Sequence, residues 1–203
     1  MYTLYGSRGS GSDAVEMVLI ELGQPYKFVA VDGEARKAPD FVRISPLGRV
    51  PALGLPDGSS MFESAAMLIH LTTTHPSDLA PAIGTPAHAR YLQWMVYLSA
   101  NVYETELRTF YSDRYTTGGA AAAAAVKEQA DRDMMQLYEI IERQLSPGLL
   151  GDKISAADLY LTMLTTWHLP APAELYRRFP KIGALATRIR GRQSSHTVLG
   201  AAA

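Results

Sequence analysis

Short apolar runs whose period keeps changing give way, after residue 75, to long helical stripes. YTLYG (2–6) and YKFVAVD (26–32) are strand-like, while DAVEMVLIELG (13–23) spaces its apolar positions as a helix does and stops at a glycine. APDFVRIS (38–45) reads as a short helix or turn, and PALGL (51–55) as a strand. PDG (56–58) then makes a hairpin-type turn, SMFE (60–63) returns, and SAAMLIHLTTTH (64–75) is a helix. The order β-α-β-α-β-β-α fits one mixed four-stranded sheet, a parallel βαβ crossover followed by an antiparallel hairpin.

Residues 76–86, PSDLAPAIGTP, carry three prolines and a glycine and read as a linker. Beyond it the pattern predicts helices only: 87–115, 118–145, a buried one over 154–169, and 179–192. The alanine run at 120–125 is strong helix former, since amphipathic spacing resumes straight after it. The expected architecture is α/β followed by all-α: domain 1–75, linker 76–86, helical domain 87–203.

Composition narrows the chemistry. The 203 residues include no cysteine, which excludes disulfides, thiolate metal sites and a cysteine nucleophile. Any thiol must arrive with a ligand. Nineteen basic and 20 acidic residues give a net charge of −1, and the basic YRRFPK and RIRGR segments read as a solvated helix face, so no nucleic-acid partner is expected. No apolar run reaches about 18 residues and the N-terminus lacks a secretory pattern, so the expectation is a soluble, cytoplasmic protein without a membrane partner. His70, His75 and His88 lack metal-ligand spacing, so no metal is expected either.

Two stretches hold candidate chemistry. Gly9-Ser10-Gly11-Ser12-Asp13-Ala14 matches the dinucleotide fingerprint G-x-G-x-x-A, with Asp32 placed for a ribose. An all-helical second half and the unexplained segment GRVPAL (48–53) speak against that reading. The same loop offers Ser10–Asp13 and Asp13–Glu16 as helix caps. Free N–H groups and a hydroxyl at a helix start also favour an anion, including a ligand thiolate. In GRVPAL, a cis bond before Pro51 would turn Val50 outward, leaving its N–H and C=O to pair with an extended peptide. Glu63 can take an ammonium group, and Ser64 with the helix start can take a carboxylate.

SPLGRVPAL (45–53) followed by DGSSMFESAAMLIHL (57–71) resembles the glutathione-binding half of cytosolic glutathione S-transferases. LLGDKISAADLYL (149–161) resembles the G-D-x-x-S-x-A-D motif of their helical domain, and RFPKIGALATRIRGR (178–192) their next helix. In that motif Ser155 and Asp158 have capping-box spacing, a structural role. The resemblance spans nearly the whole chain. It implies a thioredoxin-like first domain, glutathione as co-substrate, and a homodimer. Val50 and Pro51 would dock the cysteinyl unit, and Glu63 and Ser64 the γ-glutamyl end. Lys37 and Arg49 would lie near the glycyl carboxylate, unless they are plain surface charges. Serine-using relatives align Ser10 with the sulfur; cysteine-using ones align Gly11, next to Ser12. Tyr5 comes third, as a strand residue close to where other classes keep a tyrosine.

The implied reaction is thiolate attack on a small hydrophobic electrophile. Glutathione-dependent reduction of peroxides or disulfides and a non-catalytic binding module are the alternatives. The electrophile pocket would use Tyr103, Leu107, Phe110, Tyr111 and Arg114, which recur at helical spacing, closed by Trp167 and His168. An aromatic stripe at that spacing can equally be core.

Overall fold

The structure, a computed structural model, describes residues 1–168 and 171–200. Strands β1 (Tyr2–Gly6), β2 (Tyr26–Ala30), β3 (Ala52–Gly54) and β4 (Ser60–Phe62) form one sheet in the order β2-β1-β3-β4. β1 runs parallel to β2 and antiparallel to β3, and β3 pairs antiparallel with β4, as the sequence pattern predicts. Burial alternates along β1. Tyr2, Leu4 and Gly6 face the main core with helices α1 (Ser12–Glu21) and α3 (Ser64–Thr74), while Tyr5 faces Phe41 of α2 (Pro39–Ile44) across the other side. Tyr5 is therefore packed against the small cluster of Val31, Phe41 and Ala52.

The linker is docked rather than loose. Leu79 is buried, its carbonyl accepts from Ala156 N–H at 2.8 Å, and Asp78 pairs with Lys153. The predicted helix 87–115 is α4 (Pro86–Tyr97), a π-helical turn over Leu98–Tyr103, and α5 (Glu104–Phe110), ending in a 3-10 turn at Ser112–Tyr115. A π turn bonds i to i+5, so the faces before and after it are out of phase. α6 (Gly119–Gln144) matches the second predicted helix. α7 (Ala156–Thr165) stops four residues before the predicted end, which at Leu169 lies outside the described residues. α8 (Pro172–Arg178) and α10 (Gln193–Leu199) are additional, flanking α9 (Pro180–Arg190). Seven residues are too few for a periodic signal to stand out.

One core cluster runs through both halves, because α1 packs on α3 of its own domain and on α7 and α10 of the other. Polar ties reinforce the seam: Ser64 Oγ lies 2.9 Å from Tyr160 Oη, and Glu21 accepts from Arg192 and Ser194. The capping box at α7 is present. Asp158, fully buried, accepts from Leu149 N–H at 2.8 Å, Ser155 N–H at 2.8 Å and Ser155 Oγ at 2.7 Å. Asp158→Ala would leave these donors unmet, and should lower the unfolding free energy in urea by about 3 kcal/mol. A loss below about 1 kcal/mol would contradict that account.

Glu106 is buried on α5, where Tyr138 Oη donates to it at 3.4 Å, and desolvation pushes its pKa up to about 7. Between the unfolded value and pH 7 the native state holds a proton that the unfolded chain has released. Stability from this group therefore falls as pH rises through that window. Glu106→Gln should flatten the decline, gaining on the order of 2 kcal/mol relative to the native chain between pH 5 and pH 8. An identical pH slope in thermal melts of both proteins would refute it.

Candidate functional site

The candidate site begins where the chain enters β3. The Val50–Pro51 bond is cis. Ser45 Oγ donates to Arg49 C=O at 2.7 Å and accepts Arg49 N–H at 3.3 Å, which fixes the approach. Val50 precedes the strand, and among the described residues its N–H and C=O meet no backbone partner. The peptide edge expected there is free.

Glu63 stands at the N-cap of α3 with φ 73°, the one non-glycine residue among those described with positive φ. Its exposed side chain makes no cap bond. A carboxyl residue in this region costs about 1–3 kcal/mol and persists where surrounding structure over-determines it. Ser64 opens α3 and is buried, its hydroxyl already shared with Tyr160. What it leaves open to the site is backbone N–H at a helix start, where the dipole favours anions.

The glycine-serine loop is held from within. Arg8 pairs with Glu16 and, at 3.7 Å, with Asp13, and its guanidinium covers the Phe28 ring at 4.7 Å. Asp13 and Glu16 are both buried, so they need this cation. Burial pushes the Asp13 pKa up to about 6. Neither the Ser10–Asp13 nor the Asp13–Glu16 pair forms the capping box its spacing suggests, although Ser10 Oγ accepts the Ser12 N–H at 3.2 Å. Gly11 is the N-cap, with no side-chain cap bond, and Asp13 instead accepts from Gly9 N–H at 2.9 Å. Ser12 is fully buried, donates to Ser7 C=O at 2.9 Å and takes Ser7 N–H at 3.2 Å. Ser10 Oγ donates to the same carbonyl at 2.6 Å and lies 2.9 Å from Ser12 Oγ. Each hydroxyl has a single proton. Both point back into the loop.

Over the start of α1 lies a side chain from the helical domain. A Cβ built on Gly11 would meet the Tyr103 hydroxyl at 3.2 Å and Pro51 Cδ at 3.3 Å. Tyr103 stacks edge-on against Trp167 at 5.1 Å and tilts against Tyr160 at 6.5 Å. Burial pushes its pKa up to about 12, with the nearby Gly11 N–H acting in the opposite direction. Glu63 and Arg49 both lie within electrostatic reach of it. The sequence places Tyr103 in the electrophile pocket but does not announce its contact with Gly11. The only local hint is a glycine at a helix start, a position of close approach.

The other named residues separate into groups. Lys37 is exposed and pairs with Glu34 at 2.8 Å. Leu107 is half-buried, while Phe110, Tyr111 and Arg114 are exposed, with Arg114 over the Tyr111 ring at 4.0 Å. The buried side of this segment is Val102, Thr105 and Glu106; Phe110 and Tyr111 lie outside the core, while Tyr103 packs against it. Trp167 and His168 follow α7 half-buried, and the Trp167 indole N–H has no acceptor among the described residues. His168 stacks on Tyr138, on the Glu106 side. No group of three or more His, Asp or Glu able to hold a metal ion occurs among the described residues, and no described helix is long and apolar enough to cross a membrane.

This arrangement has close counterparts. Residues 4–81 match the family model of the glutathione S-transferase N-terminal domain, and residues 106–193 that of the C-terminal domain. The GST-like protein YncG of Escherichia coli K12 is 31% identical over 172 residues, spanning 82% of each chain. Glutathione S-transferase 3 of Zea mays is 30% identical over 184 residues, 86% of this chain and 78% of its own. A glutathione transferase homologue from Sulfitobacter, solved with bound glutathione, superposes with a TM-score of 0.88 at 28% identity over 98% of this chain and 97% of its own. On its thioredoxin-like sheet, its capping box and these matches, the chain belongs to the glutathione S-transferase family.

Proposed function

We propose that the protein binds glutathione along the free edge at Val50 and transfers its thiolate to small hydrophobic electrophiles. The observation that carries this reading is Glu63: a free carboxylate held at φ 73° beside the start of α3. Strained residues of this kind cluster at active sites and ligand clamps. Glu63 takes the α-ammonium of the γ-glutamyl unit, and the N–H groups opening α3 at Ser64 take its carboxylate. Val50 N–H and C=O pair with the cysteinyl unit, and Pro51 lines the place where its side chain leaves the backbone. Arg49, exposed at the rim, reaches the glycyl carboxylate; Lys37, tied to Glu34, contributes only to the local field. The glutathione-bound Sulfitobacter relative supports the same ligand here.

A free thiol of pKa about 8.5 is only about 3% ionised at neutral pH, so the site must favour the thiolate. The start of α1 and a hydrogen-bond donor do so. The sulfur lone pair then forms the S–C bond, the leaving group departs with its bonding pair, and the thiol proton passes to solvent. Leu107, Phe110, Tyr111, Arg114 and Trp167 supply a half-open apolar wall for the electrophile, with cationic Arg114 suited to a polar substituent.

The same reading takes the protein as a cytoplasmic homodimer. Glutathione is the bulk thiol of the cytosol. Most apolar side chains of α4 serve the chain's own core, but Val96 is 59% exposed there and Phe62 42% exposed on β4. Light scattering should give twice the 22.1 kDa chain mass; a single-chain mass at micromolar concentration would reject the dimer.

Calorimetric titration with glutathione tests the site. The native protein should bind in the micromolar to millimolar range, and Glu63→Ala or Glu63→Gln should weaken binding about 10- to 100-fold, the value of a hydrogen bond to a charged group. Absence of binding to the native protein would sink the transferase reading.

A further inference from the structure

We propose that the hydroxyl facing the glutathione sulfur belongs to Tyr103 of the helical domain, and not to Ser10 or Ser12 of the loop before α1. The inference rests on the glutathione reading above and names the group that stabilises the thiolate.

Three observations carry it. The first is a count of protons. Ser10 and Ser12 each have one, and both donate to Ser7 C=O, at 2.6 and 2.9 Å. Ser12 is also fully buried. Redirecting Ser10 would give up its bond to Ser7 C=O and its contact with Ser12, and Ser12 has no exposed surface from which to reach a ligand. The second is position. Tyr103 Oη lies 3.2 Å from the point where a Cβ on Gly11 would stand, and that point is 3.3 Å from Pro51 Cδ. The phenol tip therefore stands at the junction of the α1 N-terminus with Pro51, where a cysteinyl side chain paired at Val50 would project. The third is an unused donor. Among the described residues no protein acceptor takes the phenol proton of Tyr103, so that proton is free for the sulfur.

The charged and titratable groups around this phenol are Glu63 from the start of α3, Arg49 from the loop before β3, and Tyr111 beyond α5. Tyr160 and Trp167 from α7 and its following turn fix the ring. The ring is thus clamped before any ligand arrives, which makes Tyr103→Phe a clean deletion of one hydroxyl.

The test reads the thiol directly. Ultraviolet absorbance of the thiolate, followed against pH, gives the pKa of bound glutathione in the native protein, Tyr103→Phe and Ser10→Ala. Tyr103→Phe should raise that pKa by about one unit, a tenfold change in the ionisation constant. Its affinity for S-methylglutathione, which has no thiol to ionise, should stay within about threefold by calorimetry. Ser10→Ala should move the pKa by clearly less. An unchanged pKa in Tyr103→Phe, or a larger shift in Ser10→Ala, overturns the assignment while leaving the transferase reading intact. Failure of the native protein to bind S-methylglutathione overturns both.

Discussion

Helix α1 has no solvent face over its first eight residues: every side chain from Ser12 to Leu19 is buried. It is the element that both domains use as core, α3 and the sheet on one side, α7 and α10 on the other. A helix buried all round cannot carry charge freely, yet this one carries Asp13 and Glu16. Arg8 is the resolution, reaching back from the loop to both acids and closing over Phe28. The loop that starts α1 is therefore rigid for a reason of charge compensation. Ser12, fully buried there, is a loop tie because no water can reach it, and half-buried Ser10 bonds the same carbonyl.

Rigidity at the start of α1 sets what can approach it. Gly11 has no side chain, and the space that a Cβ would use is taken by Tyr103 and bordered by Pro51. A small residue at the helix start and a phenol from the other domain form one complementary pair. The π turn over Leu98–Tyr103 contributes to the fit, since it resets the phase of the long helix just where the tyrosine leaves it. Before it, the helix buries Tyr91, Trp94 and Met95; after it, Thr105 and Glu106 turn inward while Phe110 and Tyr111 stay exposed.

These relations explain which features can be read from the amino-acid order. The sheet, the linker, the free edge at Val50, the carboxylate at 63 and the Ser155–Asp158 box are local patterns, each complete within a few dozen residues at most. The cap spacings of Asp13 and Glu16 are local patterns too, and tertiary burial overrides them by supplying Arg8. Tyr103 and Gly11 are far apart in the chain, and no spacing rule links them. The stripe after residue 103 is visible as a stripe, but whether it is core depends on the π turn, which leaves no sequence signature of its own. α8 and α10 are hidden by shortness alone.

The phenol's own acidity decides its part in the chemistry. With its pKa near 12, Tyr103 keeps its proton at any pH where a thiol of pKa about 8.5 has begun to ionise. It therefore acts as a donor to the sulfur and never as the base that deprotonates it. Burial, which raises that pKa, favours the same role, because a drier site strengthens the bond from O–H to S⁻ and keeps the proton on oxygen. The phenol stands beside Gly11, so the helix start and the hydroxyl face the same place. A thiolate held this way is stabilised by one donor from each domain, so the seam that α1 builds is also what completes the reacting centre.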